Sequence, residues 1–417
     1  MEIQRQIHLN RLIARQGNGM IKVITGMRRC GKSYLLFTLF HNYLLQQGVD
    51  EQHIIKVDLE DRRNAALRDP DALLAFIDSR MTDHRQYYIL LDEVQLVSEF
   101  EDVLNSYLKV PNADVYVTGS NARFLSKDII TEFRGRGDEI HITPLSFQEF
   151  VSVKQGDRET LLYEYMTYGG LPQIVSMTDT QQKIEYLKGL FTHTYIRDIK
   201  ERYEILKDDD LEELISLIAS NIGSLTNPTK LENSFKSIKK SNLSRDTIKN
   251  YLDFLQDAFL IEKAIRYDIK GKKYIDTPSK YYFSDLGLRN ARLDFRQTEF
   301  THLLENTIYN ELRLRGFSVD VGQIPVVEAG KEGKRQRSIL EVDFVCNQGY
   351  KRYYIQSAYA LPTEEKIKQE LNSLLKIKDN FMKYVIVGTP TPTYLNENGI
   401  VIMNIYDFLM NSSNLAL

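Results

Sequence analysis

A glycine-framed loop near the start of the chain carries the residues best suited to bind an anion. It follows the short apolar run Ile21–Thr25 and leads into an apolar stretch with helical spacing. Its sequence matches G-x-x-x-x-G-K-S/T, a pattern in which glycines let backbone N–H groups wrap a phosphate at a helix N-terminus. We therefore predict that phosphate is bound by the loop and the residue after it: Gly26, Met27, Arg28, Arg29, Cys30, Gly31, Lys32, Ser33 and Tyr34.

Further along the chain, a predicted buried strand ends in the adjacent carboxylates Asp92 and Glu93. In loops of this pattern the lysine reaches the β- and γ-phosphates and the next hydroxyl ligates Mg²⁺, so we assign these roles to Lys32 and Ser33. We expect Asp92 to hold the Mg²⁺ shell and Glu93 to orient or deprotonate an attacking water. If only one of the two motifs were present, a purely structural role, a strand followed by a polar turn, would be a reasonable alternative. Both motifs, in order and with strand–helix context, favour a nucleoside triphosphate site.

Two further polar segments are candidates for the same site. Ser120 and Asn121 follow the next predicted strand, where they would either bond the γ-phosphate or the water, or only cap the strand. Arg134 and Arg136 lie in a glycine-spaced loop. An arginine offered to a neighbouring subunit's γ-phosphate would stabilise transition-state charge. The alternative for this loop, as for the two arginines inside the first loop, is a solvated basic segment.

Composition restricts the class of protein. A chain of 417 residues with 42% hydrophobic and 27% charged residues predicts roughly two to four soluble globular domains. The net charge of −3 means that any nucleic-acid contact must come from a local basic patch. Cys30 and Cys346 lack metal-ligand spacing and predict free thiols in a reducing compartment. The polar N-terminus and the lack of a long apolar run predict a cytoplasmic protein without a membrane span.

The predicted elements alternate between strands and helices through about residue 150, which indicates a parallel sheet covered on both faces. Residues 151–210 read as helical, with a turn at "YGGLP" (168–172). Residues 211–290 contain three predicted helices and two β-like runs, the composition of a winged helix-turn-helix. Residues 291–417 predict a small mixed α/β unit.

The predicted winged-helix block is locally basic. Its lysines and arginine either contact the phosphates of a nucleic-acid backbone or form a solvent-exposed face. A third alternative is protein binding, because winged helices also bind proteins. We favour DNA contact because these residues fall on the elements that would dock. They are Lys230, Lys236, Lys239, Lys240, Arg245, Lys249, Lys270, Lys272 and Lys273.

The motifs "VITGMRRCGKSYLL", "YYILLDEVQ", "DVYVTGSNARFLS", "TEFRGRGDEIHITPLSFQEF" and "YGGLP" together resemble a prokaryotic family of the AAA+ ATPase superfamily, archaeal-ATPase-like P-loop proteins with a C-terminal domain of unknown function. The resemblance implies ATP with Mg²⁺, assembly into a homo-oligomer, and a C-terminal region with winged-helix and restriction-endonuclease-like parts. The expected fold class is therefore α/β: an AAA+ domain at 1–150, a helical lid or linker at 151–210, a winged helix at 211–290 and a nuclease-like domain at 291–417.

The nuclease-like part of this resemblance can be tested on its own residues. Restriction-type nucleases place an acid at a strand end and Glu-x-Lys on the next strand, where acids hold Mg²⁺ and the lysine activates water. Here Asp343, with Glu341, and Gln356 stand at those positions, and Glu305 on the preceding helix is a further candidate ligand. Ala358 replaces the lysine, so we expect a nuclease-like fold with little or no cleavage. An α/β domain with incidental acids is the alternative.

The sequence therefore predicts a Mg²⁺-dependent ATPase that couples its nucleotide state to C-terminal domains that contact DNA. An ATP-gated nuclease is a second hypothesis, and a non-hydrolysing nucleotide switch that binds a protein partner is a third.

Overall fold

The computed structural model describes residues 3–119, 135–205, 208–239, 243–329, 335–411 and 415. Ser120, Asn121, Arg134 and Lys240 lie outside the described residues. The chain divides into two compact units. Unit 1 comprises Met1–Leu145, Leu171–Gln173 and Asp257–Phe259, and unit 2 comprises the remaining segments, Ser146–Gly170, Ile174–Gln256 and Leu260–Leu417.

Unit 1 contains a five-stranded parallel sheet, which confirms the predicted arrangement. The strand order is β2-β3-β4-β1-β5. Since β4 lies between β1 and β3, the loop that follows β1 and the carboxylates that end β3 are separated by one strand. The strands are β1 (Ile21–Thr25), β2 (Ile54–Asp58), β3 (Tyr87–Asp92), β4 (Ala113–Thr118) and β5 (Gly137–His141).

Helices cover both faces of this sheet. On one face Ile77, Val103 and Leu104 join the apolar strand residues in a single buried cluster. On the other face the ring of Phe40 packs on Tyr116 with centroids 4.6 Å apart. The helical segments are α1 (Gln6–Ile13), α2 (Lys32–Tyr34), a π-helical stretch (Leu35–Phe40), α3 (His41–Gln46), α4 (Pro70–Arg80) and α5 (Phe100–Tyr107).

Unit 2 begins with helices and continues into a mixed sheet. The helical segments of the chain after unit 1's sheet are α6 (Phe147–Val153), α7 (Arg158–Tyr168), α8 (Pro172–Val175), α9 (Thr180–Leu190), a π-helical stretch (Phe191–Ile196), α10 (Arg197–Tyr203), α11 (Asp208–Ser220), α12 (Pro228–Lys239), α13 (Arg245–Asp257), α14 (Leu286–Arg292), α15 (Phe300–Leu314), α16 (Glu364–Leu375) and α17 (Ile405–Met410). Helix α8 is divided between the two units. Among the described residues, no helix is both long and apolar enough to span a membrane.

The sheet of unit 2 has eight strands in the order β12-β13-β11-β10-β9-β8-β6-β7. They are β6 (Ile261–Asp268), β7 (Lys273–Phe283), β8 (Ser318–Ala329), β9 (Arg335–Gln348), β10 (Lys351–Ala358), β11 (Met382–Val387), β12 (Tyr394–Leu395) and β13 (Ile400–Asn404). The hairpin β6–β7 joins the sheet because β6 pairs in parallel with β8. The sheet is therefore continuous across residue 290, where we predicted a domain boundary. The winged-helix, nuclease-like and four-domain assignments stay predictions.

The first three residues of the "YGGLP" segment, residues 168–170, belong to unit 2 and are fixed there by the N-terminus of α14. The Asp285 carboxylate accepts hydrogen bonds from the backbone N–H groups of Gly170, at 2.8 Å, and Leu288, at 3.1 Å. Gly287 packs directly on the end of α7, where an added Cβ would lie 2.1 Å from the carbonyl oxygen of Tyr168. The glycines therefore allow two backbone segments to approach each other more closely than any side chain permits.

Asn290, one turn further along α14, completes this contact. Its side-chain amide donates to the carbonyls of Met166, at 3.0 Å, and Thr167, at 2.8 Å, near the end of α7. Carbonyls in the last turn of a helix lack partners inside that helix, so this buried amide satisfies them.

We predict that Gly287→Ala lowers the free energy of unfolding of unit 2 by about 1–3 kcal/mol, the usual cost of forcing extra volume into a packed site. Gly189→Ala is the matched control, because Gly189 also lies in a helix but an added Cβ there meets no atom within 4 Å. That change should stabilise the protein by about 0.5–1 kcal/mol through helix propensity. Urea denaturation followed by circular dichroism measures both, and equal effects of the two variants would contradict the packing role of Gly287.

Candidate functional site

The loop between β1 and α2 has a backbone conformation that depends on its two glycines. Gly26 adopts φ +142°, and an added Cβ would lie 2.2 Å from the carbonyl oxygen of Ile142. Gly31, with φ +100°, immediately precedes α2. Both positions require glycine, one for close approach and both for backbone conformation. The loop therefore leads directly into a helix N-terminus, which favours bound anions.

Arg5 anchors this loop from the segment before α1. The guanidinium is buried, and it donates from Nη1 to the carbonyl of Cys30 at 2.8 Å and from Nη2 to the carbonyl of Thr143 at 2.6 Å. Because Thr143 follows β5, one side chain ties the loop to the end of a neighbouring strand. The loop conformation is thus supported from outside the motif.

Lys32 is buried with its ammonium turned toward the loop backbone. Its Nζ donates to the carbonyl oxygens of Gly26, at 3.0 Å, and Met27, at 3.1 Å. These two neutral acceptors take two of the three donors of the ammonium and do not neutralise its charge. The geometry therefore leaves a net positive charge inside the loop, as an anion site requires.

Ser33 and Asp92, the two residues predicted to hold Mg²⁺, lie near each other at the end of the sheet. The Asp92 carboxylate is only 4% exposed, and the Ser33 hydroxyl is close enough to influence its pKa. Burial raises the pKa of Asp92, and hydrogen bonds from Thr118 and Ser33 oppose that shift. Hydroxyl and carboxylate oxygens are the ligands that Mg²⁺ prefers, so the donor set fits this ion.

Thr118, the last residue of β4, connects the two acidic residues. Its hydroxyl donates to the Asp92 carboxylate and accepts from the backbone N–H of Glu93 at 3.0 Å. Glu93 itself has a left-handed backbone, φ 53°, and its carboxylate accepts a hydrogen bond from Gln95. A buried hydroxyl thus fixes both carboxyl-bearing residues relative to β4.

The other predicted loop residues differ in exposure. Met27 and Cys30 are buried, whereas Arg28, Arg29 and Tyr34 are exposed. The buried pair therefore contributes backbone rather than side chain to the loop. The exposed side chains are accessible either to a ligand or to solvent, the two alternatives that the sequence left open for the arginines.

Of the two predicted arginine fingers, only Arg136 lies within the described part of the chain. Its side chain is exposed, and its carbonyl accepts from the backbone N–H of Ile21 at 3.0 Å, just before β5. Arg134 lies outside the described residues, as do Ser120 and Asn121, the candidates for contacting phosphate after β4.

Comparisons with known proteins agree with this geometry. A family model for an AAA domain matches residues 18–151, and a model for a domain of unknown function matches residues 159–299. An uncharacterised protein of Haemophilus influenzae is 35% identical over 417 residues, an alignment that covers 98% of each chain. An uncharacterised protein of Methanocaldococcus jannaschii is 30% identical over 392 residues, which cover 90% of this chain and 82% of that protein.

This chain belongs to the AAA family of P-loop proteins with a C-terminal domain of unknown function. Among solved structures, it resembles a Walker-type ATPase of Pyrococcus abyssi with a TM-score of 0.50 and 15% identity, over 70% of this chain and 96% of that one. At that identity the likeness extends to the fold alone.

The C-terminal unit of this AAA protein brings together the residues proposed for a second metal site, but around a lysine that the sequence reasoning did not consider. Lys280 Nζ lies 2.9 Å from Glu305 Oε1, 2.7 Å from Glu341 Oε1 and 3.7 Å from Asp343 Oδ1. Gln356 lies beside them, with its Oε1 3.4 Å from the backbone nitrogen of Asp343. We call Lys280, Glu305, Glu341 and Asp343 the Lys280 cluster.

Electrostatics keep the lysine in this cluster charged. Burial alone would lower the pKa of Lys280, but the charges of Glu305, Asp343 and Glu341 raise it above its ordinary value. Burial raises the pKa of Asp343, and the charge of Glu305 adds to this effect, whereas Lys280 opposes it. The acids therefore favour the charged form of Lys280, and Lys280 favours the charged form of Asp343.

Sequence reasoning missed Arg5, Thr118 and Lys280. Thr118 could have been identified, because it ends a predicted strand next to the strand that ends in Asp92. Ser120 and Asn121, which follow it, were chosen for the polar contact at that strand end instead. For Lys280 the signal was a charged residue inside the strand run "PSKYYF". Arg5 left no local signal, since its acceptors lie 25 and 138 residues away in sequence.

We predict that Thr118→Val lowers the free energy of unfolding of unit 1 by about 1–3 kcal/mol, because valine keeps the shape but leaves the buried Asp92 carboxylate and Glu93 N–H without this partner. Thr118→Ser retains the hydroxyl and should cost less. Denaturant unfolding of the two variants measures the difference. Equal losses would contradict the prediction, because they would show that the hydroxyl contributes no more than the methyl group at this position.

Proposed function

We propose that this AAA protein binds ATP with Mg²⁺ and hydrolyses the bond between its β- and γ-phosphates. The observation that carries the proposal is the buried Lys32 ammonium inside the loop, with Ser33 next to it at the start of α2 and the buried Asp92 carboxylate at the end of β3. A phosphate-binding loop, a lysine and two oxygen ligands for Mg²⁺ are the parts that phosphoryl transfer in P-loop proteins requires.

Each residue of the site has a distinct role in this proposal. The loop backbone and Lys32 bind the β- and γ-phosphates, and Ser33 and Asp92 hold Mg²⁺. Bound Mg²⁺ neutralises charge that develops on the phosphate oxygens. Glu93 orients a water for in-line attack and accepts its proton, with Thr118 and Gln95 fixing its backbone and carboxylate.

Arg134 or Arg136 acts in trans in this proposal, which requires a homo-oligomer. The exposed position of Arg136 supports that role, because a finger must reach outside its own subunit. A trans arginine is worth several powers of ten in rate for related phosphoryl transfers. Both cysteines are free and buried, consistent with the cytoplasmic location that we propose.

ATP turnover is proposed to rearrange C-terminal segments that contact DNA. Exposed cationic side chains on α12, α13 and the β6–β7 turn support such contact. Several already have partners: Lys236 lies 2.7 Å from Glu232, and Lys230 and Lys270 donate to backbone carbonyls. Arg245 and Lys249, both exposed on α13, are candidates for phosphate contacts, as are the exposed Lys272 and Lys273 at the β6–β7 turn.

Two alternatives make different demands on the molecule. An ATP-gated nuclease needs a divalent metal beside Asp343 and Gln356, a position that Lys280 approaches. A non-hydrolysing switch needs nucleotide binding without turnover, and it retains partner binding when Glu93 is neutralised. ATP binding and phosphate release, measured separately, distinguish the switch from the ATPase.

We predict that Lys32→Ala abolishes both ATP binding and phosphate release, because it removes the charge inside the loop. Glu93→Gln should retain ATP binding and lower phosphate release by about 10²–10⁴-fold, the usual contribution of a general base. Calorimetry and a phosphate-release assay measure the two properties on the same samples.

Lys109→Ala is the matched control, since Lys109 is an exposed lysine of unit 1 in the segment that leads into β4, at the opposite end of the sheet. It should behave as the wild type. Undetectable turnover in the wild type together with tight ATP binding would favour the switch, and no heat from ATP would overturn the proposal.

We further predict that the double charge reversal Arg245→Glu/Lys249→Glu weakens binding to a DNA duplex. It should also reduce the slope of log affinity against log salt by roughly two, since each phosphate that the protein no longer neutralises lowers the slope by about 0.9. Fluorescence anisotropy at several salt concentrations measures both quantities.

Lys376→Glu/Lys378→Glu carries the same charge change on exposed residues elsewhere in unit 2 and serves as the control. Equal weakening by the two double variants would indicate a general effect of charge. No binding by the wild type at low salt would refute DNA contact.

A further inference from the structure

A single buried ammonium joins three carboxylates from two different elements in the C-terminal unit. Lys280, on β7, is 2% exposed. Glu305 comes from α15, and Glu341 and Asp343 come from alternate positions of β9. The amine lies 2.9 Å from an oxygen of Glu305, 2.7 Å from one of Glu341 and 3.7 Å from one of Asp343. A divalent cation shared by these acids would need the space between the same oxygens.

The surrounding structure holds the lysine at this position. Lys280 and Tyr282 lie on one face of β7, since side chains alternate along a strand, and both bond Glu305 Oε1, Tyr282 from its hydroxyl at 2.7 Å. Gly223, with φ +69°, leaves room for the Glu305 carboxylate, because an added Cβ would lie 2.9 Å from Oε2. Asp343 is fixed by the backbone N–H of Ser357, which donates to Oδ2 at 2.8 Å.

We infer that the Lys280 ammonium is a built-in cation that takes the place of a divalent metal in this cluster, so that the C-terminal unit holds β7, α15 and β9 together without a metal and does not cleave nucleic acid there. The inference is independent of the proposed ATPase activity, because it concerns a different unit of the chain and needs no nucleotide.

Charge and chemistry indicate that Lys280 replaces a metal ion in the cluster and does not lie beside one. A fixed ammonium repels a divalent cation at the distances that separate these groups, and it already uses oxygens that the metal would need. With Lys280 in place, no group of three or more histidine, cysteine or acidic side chains among the described residues is arranged to hold a metal ion. The position at which a water-activating lysine would follow Gln356 is occupied by Ala358, so the two features agree.

The test is a Mn²⁺ titration of the full chain without nucleotide, with free Mn²⁺ followed by electron paramagnetic resonance. Any Mn²⁺ held in unit 1 is common to all variants, so only differences count. Wild type and Asp343→Asn should bind equal numbers of ions. Lys280→Met, which keeps the length but removes the charge, should bind one additional Mn²⁺, and Lys280→Met/Asp343→Asn should lose it. Lys273→Met, an exposed lysine of the same strand, is the matched control and should gain none.

Loss of one Mn²⁺ on changing Asp343→Asn in the otherwise wild-type chain would overturn the inference, because it would show a metal beside the lysine. A folded Lys280→Met variant that gains no ion would overturn it as well. If Lys280→Met unfolds in metal-free buffer, recovery of its cooperative thermal transition on adding Mn²⁺ would support the inference, and no recovery would count against it.

Incubation of plasmid DNA with the wild-type chain and Mn²⁺ distinguishes a built-in cation from a water-activating lysine. We expect no nicking by wild type or by Asp343→Asn. Nicking by the wild type that is lost in both Lys280→Met and Asp343→Asn would assign the lysine to catalysis and refute the inference. A failure of ATP hydrolysis would leave every one of these outcomes unchanged.

Discussion

The position of β4 between β1 and β3 is the constraint on which the nucleotide site depends. It separates the loop after β1 from the acids after β3 by the width of one strand, so Ser33 and Asp92 can meet only across the end of β4. The residue at that end must then be small enough to leave them in contact and polar enough to satisfy a buried carboxylate. Thr118 meets both requirements, because its hydroxyl bonds Asp92 and its fully buried side chain fills the space.

The same site depends on support from outside its motifs. When the N–H groups of a loop point toward a ligand, its carbonyl groups point away, and each buried carbonyl needs a hydrogen-bond donor. Arg5 is the donor for the carbonyl of Cys30 in the loop, and it also donates to the carbonyl of Thr143 after β5. A guanidinium suits this role because its donors are rigidly spaced and always charged. The N-terminal segment therefore supports the loop even though no motif includes it.

These interactions mark the boundary between what could and could not be predicted from the sequence. The phosphate-binding loop, the acids of β3 and most strands of both sheets follow from local pattern, because glycine spacing and apolar runs reflect local backbone geometry. The partners that complete the sites do not, since Arg5, Thr118 and Lys280 act on residues distant in sequence. The same limit explains the hairpin β6–β7. Its two strands are evident in the sequence, but its parallel pairing to β8 joins segments more than about fifty residues apart and leaves no local signal.

Two buried lysines, Lys32 and Lys280, show how similar groups are directed to opposite uses by their partners. Lys32 donates to two neutral carbonyls, which take two of its three donors and leave its positive charge available to an anion. Lys280 is outnumbered by carboxylates, so its surroundings carry net negative charge and repel phosphate. Glu341 is the most accessible member of the Lys280 cluster, with 38% of its side chain exposed, and it presents that negative charge toward solvent. A nucleic-acid backbone is therefore unsuited to the Lys280 cluster, and the exposed cationic residues of unit 2, such as those of α13 and the β6–β7 turn, suit it better.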